Sequence, residues 1–224
     1  MRFLILLFFF VAVQSLFSQE DKTIRYIEVG MFEDRLDVYQ STYKNIQAVD
    51  IIEKPIFIAA HYYPHLKEIN IEFRERKMKM TMMARPSVCF LFQKKENRKY
   101  VIIVNNDSIN RAPRIVQNMS INMQVGVIGH EYAHITDYEH MNSLQIIKYG
   151  LQYLFKKQRR IIEYRTDSIA IAHGLGWQIH HFATYINNSE EISERYKKYK
   201  HSIYLRPKQI ADIIERHKEK KLNL

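Results

Sequence analysis

The chain has 224 residues, of which 46% are hydrophobic and 26% are charged, and its net charge is +10. This composition excludes a disordered, collagen-like or low-complexity protein, and the length suffices for one domain with a full core. A single cysteine, Cys89, excludes a fold held together by internal disulfides.

The N-terminus has the pattern of a secretory signal peptide. One arginine precedes an apolar run at residues 3–13, and small and polar residues follow it. Cleavage after Ser15 or Ser18 would satisfy the small-residue rule, and the later position divides the chain into a signal peptide, 1–18, and one domain, 19–224. The apolar run is short for a membrane-spanning helix, and the alternative to a cleaved signal peptide is an uncleaved anchor. No later segment reaches the length that spans a membrane. The sequence therefore predicts an exported protein, periplasmic or extracellular, with a charge of 33 − 24 = +9 after cleavage.

Basic residues form several short clusters along the chain. They lie at Lys94–Lys95, Arg98–Lys99, Lys156–Lys157, Arg159–Arg160, 195–200 and 216–221. Dispersed clusters are typical of solvated helix faces, and contact with an anionic surface is the alternative that they permit. We expect no nucleic-acid partner.

The first half of the domain has the pattern of a β-sheet. Residues 27–54 fit either a helix around residues 32–47 or a strand with loops. Short apolar or alternating stretches then predict strands at Pro55–Ala60, Ile69–Phe73, Lys77–Met83, Ser87–Phe92 and Tyr100–Asn105. The last two flank a polar turn at residues 93–99 and are predicted to form a hairpin, so the sheet is antiparallel or mixed.

Residues 120–137 predict a helix that carries an H-E-x-x-H motif, His130-Glu131-Tyr132-Ala133-His134. On a helix, residues four apart share a face, so the two imidazoles can bind one metal ion and Glu131 can reach a water beside it. Apolar residues occupy the opposite face, at Ile121, Val125, Ile128, Tyr132 and Ile135. Gly126 and Gly129 weaken a helix, so they indicate a close approach by another backbone.

A second helix, predicted at residues 158–173 and ended by Gly174, carries two carboxylates one turn apart. Since a catalytic zinc needs a third protein ligand, Glu163 is the candidate for that position. Asp167 shares its helix face and can accept the hydrogen bond of a ligand histidine, which would fix the tautomer of that ring. The alternative is an ordinary pair of solvated carboxylates. Further helices are predicted at Ser143–Phe155, from about Asn188 and from Pro207.

The combination of H-E-x-x-H with a later E-x-x-x-D resembles the gluzincin metallopeptidases of the thermolysin-like clan. The local text E-Y-x-x-D is also similar to that of CAAX-type membrane peptidases. The resemblance lies within residues 120–174 and implies an α+β, zincin-like fold, in which a mixed or antiparallel sheet precedes the motif helix and further helices follow. It implies zinc bound by His130, His134 and Glu163, and Glu131 as the general base that hydrolyses a peptide or protein substrate.

The same resemblance implies that an extended substrate adds to an open sheet edge, for which the strand Tyr100–Val104 is the candidate. The residue that stabilises the oxyanion is left open among His173, His180, His181, Tyr185 and Tyr204.

Three alternatives remain at this point. His140 stands where the metzincin pattern places its third histidine, although Asp137 replaces the glycine of that pattern and no later methionine follows Met141. A deformylase-like hydrolase would use the upstream Cys89, which lacks the expected surrounding residues. A non-catalytic basic domain that binds anionic polymers, with a metal-free motif, is the third.

Overall fold

The computed structural model of this chain describes residues 24–28, 30–107 and 115–222. The predicted signal peptide, residues 1–18, lies outside them. Among the helices of the described part, none is both long enough and apolar enough to cross a membrane.

Helices and a small sheet share the first half of the described chain, and helices alone form the second half. The helices are α1 Leu36–Thr42, α2 Glu53–His61, α3 Ile121–Glu139, α4 Ser143–Gln152, α5 Lys156–Ala170, α6 Gly176–Asn188, α7 Glu194–His201 and α8 Pro207–Leu222. The strands are β1 Ile46–Gln47, β2 Asn70–Arg76, β3 Met82–Pro86 and β4 Lys99–Asn105. A π-helical turn, Ile171–Leu175, joins α5 to α6, and Gly174 there has a φ of +94° that breaks the helix.

The four strands form one mixed sheet in the order β1-β2-β4-β3. Strand β2 runs parallel to β1 and β4, whereas β3 runs antiparallel to β4. A mixed sheet followed by helices agrees with the predicted α+β class.

The prediction of a strand at Pro55–Ala60 is wrong. These residues belong to α2, and all six are buried. A short run that is apolar at every position has no period by which a strand could be told from a buried helix. Pro55 is compatible with α2 because it lies in the first turn, where its missing N–H is not needed.

The predicted strands on either side of β4 are also shifted. The strand expected at Lys77–Met83 begins only at Met82, and the strand expected at Ser87–Phe92 is a turn with a short 3-10 helix at its end. Strand β3 instead pairs with β4, and Ser87 closes the ladder by donating its N–H to the Lys99 carbonyl. The helix expected from about Asn188 is wrong as well, since α6 ends there and α7 begins at Glu194.

The expected edge strand is not at the edge. Tyr100–Val104 lies within β4, which is paired with β2 on one side and with β3 on the other. Strand β3 occupies the edge of the sheet beside α3, because β4 enters the sheet between β2 and β3.

Helix α3 passes through the centre of the molecule. The Ser120 side chain caps it by accepting the N–H of Met123. Its apolar face is fully buried at Val125, Ile128, Tyr132 and Ile135. This face packs on α2, where the Tyr132 hydroxyl donates to the Ile56 carbonyl.

The opposite side of α3 packs closely on α6. A Cβ on Gly126 would lie 2.3 Å from the backbone carbonyl oxygen of Gln178, so the expected close approach of another backbone is present at this glycine. A Cβ on Gly129 would instead meet the side chain of Leu175.

Gly126→Ala should therefore destabilise the protein. The new methyl group would push α6 away from α3, and overpacking of this kind costs ~1–3 kcal/mol. We expect a lower urea midpoint with an unchanged slope. Gly150→Ala is the matched control, since nothing lies within 4 Å of a Cβ there and alanine in an exposed helix is favoured by ~0.5–1 kcal/mol. Equal stability of the two variants would contradict the close contact.

Candidate metal centre

Helices α3 and α5 bring three possible metal ligands together. His130 and His134 lie one turn apart on α3, and Glu163 faces them from α5. One ligand atom from each of the three lies within 4.8 Å of the others. Among the described residues, this is the one group of three or more histidine, cysteine, aspartate or glutamate side chains with such a spacing.

The spacing of the ligand atoms fits a small tetrahedral ion. The Glu163 Oε2 atom lies 3.0 Å from His130 Nε2 and 3.5 Å from His134 Nε2. Ligands ~2.0–2.1 Å from a tetrahedral zinc ion are ~3.3 Å apart, which falls between these two distances. Two imidazoles and one carboxylate also form a donor set that catalytic zinc uses. The residues can therefore hold a metal ion.

Both histidine rings are oriented by hydrogen bonds at their outer nitrogen. Asp167 Oδ1 accepts the Nδ1–H of His130 at 2.8 Å. The Thr166 hydroxyl donates to the Ile162 carbonyl, so its oxygen accepts the Nδ1–H of His134 at 3.2 Å. With Nδ1 bonded in each ring, Nε2 is directed at Glu163, and its lone pair is the one available to a metal.

Glu163 is held by two tyrosines. Tyr153, just after α4, and Tyr204, between α7 and α8, both donate their hydroxyls to Glu163 Oε1. Burial and the negative charge of Glu163 raise the pKa of both phenols well above the usual value. Both phenols therefore stay protonated and remain donors at neutral pH.

The cluster is electrostatically balanced by a proton on His130. Burial alone would lower the pKa of His130, but hydrogen bonds to Asp167 and Glu163, with their negative charges, raise it to about 10. Burial would raise the pKa of Glu163, but hydrogen bonds from His130 and His134 hold it well below its usual range. A cation that binds here competes with the His130 proton, so metal binding should weaken as the pH falls.

Glu131 lies beside the ligands but makes a different contact. Its side chain is 6% exposed, and its Oε2 accepts the backbone N–H of Ala84 in β3 at 2.6 Å. The edge strand is thereby linked directly to the H-E-x-x-H helix. Glu131 also lines a cleft, as do His130 and Asp167.

The cleft is mostly apolar and lies between β3, α3, α6 and the start of α8. Its cavity volume is about 70 Å³, and it is partly open to solvent. Its apolar walls are formed by Met80, Met82, Val127, Ile179, Phe182, Ala183, Ile186, Leu205, Pro207 and Ile210. Lys200 and Tyr204 line it too, with the Lys200 ammonium 3.8 Å from the centre of the Tyr204 ring.

The rival ligands are not part of the cluster. Helix α3 continues through Asp137, whose carboxylate pairs with Arg165 of α5. His140 therefore becomes the exposed C-cap of α3 and is carried off the ligand face. Cys89 is exposed in the connection between β3 and β4. Neither belongs to the group formed by His130, His134 and Glu163.

Sequence reasoning missed three side chains that support the ligands. Thr166 bonds to His134, Tyr153 bonds to Glu163, and the Tyr149 hydroxyl lies 3.5 Å from His134 Nδ1. Their spacing could have indicated them. Thr166 lies three residues after Glu163, on the same side of a helix, and Tyr149 and Tyr153 lie four residues apart, as side chains on one helix face do. Of the candidates for oxyanion stabilisation, Tyr204 reaches the ligand cluster, whereas His173 bonds to the Tyr62 carbonyl and His181 to the Arg25 carbonyl.

Comparisons with known proteins add no relative: the chain matches no protein-family model, and no curated protein or solved structure is similar to it. The resemblance to gluzincins thus rests on the motif residues of the sequence.

Asp167→Ala should weaken metal binding without abolishing it. The substitution removes the acceptor that orients His130, and losses of this type are ~10–100-fold in affinity. Competition with a chromogenic chelator would measure the change. Asp212→Ala, in α8, is the control for loss of one carboxylate elsewhere, and equal affinities of the two variants would rule out a role for Asp167.

Proposed function

We propose that this protein is an exported, zinc-dependent peptidase. The observation that carries the proposal is the joint placement of His130, His134 and Glu163, with Glu131 beside them at the sheet edge. His130, His134 and Glu163 would hold the zinc ion. Bound there, zinc would act as a Lewis acid and lower the pKa of a water molecule towards ~7.

Glu131 is the proposed general base. Its carboxylate removes a proton from the water that attacks the peptide carbonyl and then passes it to the leaving amine. The hydrogen bond from Ala84 holds the carboxylate in place. Asp167 and Thr166 keep the two histidines in the tautomer that leaves Nε2 free to bind the ion.

Strand β3 is the proposed binding edge for an extended peptide. Thr81 and Ser87 direct their backbone hydrogen bonds to β4, so the carbonyls of the alternate residues Met82 and Ala84 point away from β4. On that side of the strand the Ala84 N–H is bonded to Glu131. A peptide that pairs there gains affinity from main-chain bonds with little dependence on its side chains. The apolar cleft beside Glu131 would accept one apolar side chain of that peptide.

The proposal is tested by metal content together with hydrolysis. The purified protein should contain one zinc ion per chain, cleave members of a broad peptide library and lose this activity with a chelator. Restoration by zinc would complete the test. Bound zinc without hydrolysis of any peptide would favour a binding role, and absence of a bound metal would support the non-catalytic alternative.

A further inference from the structure

Helix α4 and the turn that joins it to α5 expose an apolar surface on their outer side. Leu144, Ile147 and Leu151 lie three and four residues apart and form one stripe along α4. The turn after α4 extends this stripe with Leu154 and Phe155, which are 72% and 66% exposed. We call these five residues the hairpin face. Solvent exposure of so many large apolar side chains on one short segment is typical of an interaction site.

The residues around the hairpin face are basic. Between Glu139 and Glu163 the sequence has no acidic residue and five lysines or arginines, Lys148, Lys156, Lys157, Arg159 and Arg160. Lys148, Lys156 and Lys157 are exposed. Lys156 and Lys157 directly follow Phe155, so positive charge lies next to the most apolar part of the face.

We propose that the hairpin face docks on an anionic lipid surface. An amphipathic helix with exposed leucines and flanking lysines inserts its apolar side at the level of the headgroups, while the lysines bind the anionic lipids. A nucleic acid would attract the charges but would not account for the exposed leucines. A second copy of the same face is disfavoured, because it would place the same positive charges opposite one another.

The inner side of α4 and of the turn after it faces the candidate metal centre. Ile146 and Tyr149 are buried on α4, and Tyr149 and Tyr153 approach His134 and Glu163. Docking through the outer side therefore holds the metal centre one helix layer away from the lipid headgroups, ~10 Å. This inference does not depend on the proposed peptidase activity.

Vesicle binding of the full chain tests the proposal. Vesicles of phosphatidylcholine with ~30% phosphatidylglycerol should bind the protein more tightly than pure phosphatidylcholine, and added salt should weaken the difference. Replacing Leu154 and Phe155 together with glutamate should lower binding at least ~10-fold. Lys148→Gln, Lys156→Gln and Lys157→Gln should each lower it by ~5-fold. Val38→Glu, at a 58% exposed position on α1, is the matched control and should change binding little.

A second measurement locates the contact and separates it from binding by the apolar N-terminal segment. In a Cys89→Ser background, a Leu154→Cys variant can carry an environment-sensitive fluorophore. Its emission should shift to the blue on anionic vesicles and be quenched by spin-labelled lipid, whereas the same label at position 38 should not respond. An unchanged spectrum at position 154 overturns the proposal. So does a concentration-dependent dimer that the Leu154 and Phe155 substitutions abolish, because the hairpin face would then be a subunit interface.

Discussion

Replacing Glu131 with glutamine should leave the protein folded and loaded with one metal ion but lower peptide hydrolysis ~10²–10⁴-fold. Glutamine has the shape of glutamate, and its amide oxygen can still accept the Ala84 N–H. It cannot take a proton from the attacking water, so the loss should appear in kcat with metal content unchanged.

Glu139→Gln is the matched control on the same helix. The Glu139 carboxylate accepts the Tyr100 hydroxyl, and an amide oxygen can replace it there. This variant loses one carboxylate of α3, as Glu131→Gln does, and should keep full activity. If Glu131→Gln lost its metal, Glu131 would be a structural part of the site; if it kept full activity, another group would have to act as the base.

The second large effect is expected at Glu163. Glu163→Ala removes a charged ligand atom, so zinc affinity should fall by more than the ~10–100-fold expected for Asp167→Ala. The substitution also leaves the hydroxyls of Tyr153 and Tyr204 without their acceptor, which costs ~1–3 kcal/mol for a buried donor. Glu163→Gln separates the two effects, because it retains an oxygen for the tyrosines and loses the charge.

His140→Ala is the discriminating control for the third ligand. His140 is exposed at the end of α3, so its loss should leave zinc affinity almost unchanged in a chelator competition. If His140→Ala lost the metal while Glu163→Ala retained it, the ligand set would be that of a degenerate metzincin.

The ligand cluster could be predicted from the sequence because its spacing is local. His130 and His134 need only one turn of helix, and Glu163 and Asp167 need only another. The two pairs approach each other only if α3 packs on α5. The pair of motifs predicted this packing, and the structure has it. Tyr153 and Tyr204 could not be assigned, because each reaches Glu163 through the packing of a different connection.

The sheet was predicted less well for a topological reason. Alternation located β2 and a continuous apolar run located β4, but neither pattern carries information about which strand lies at the edge. That depends on the crossing of residues 77–81, which takes β3 to the far side of β4. The helix at Pro55–Ala60 was missed because complete burial removes the polar positions from which a period is read.

The tyrosine pair on Glu163 would also determine how many oxygens of this carboxylate bind a metal ion. Tyr153 and Tyr204 both donate to Oε1, so Oε2 alone is free to face the histidines. The carboxylate would then bind an ion through one oxygen only, and the three residues would supply three donor atoms. A four-coordinate ion held in this way would keep one coordination position for a water molecule or a substrate carbonyl. Two phenol groups that are not themselves ligands would thus keep the centre open.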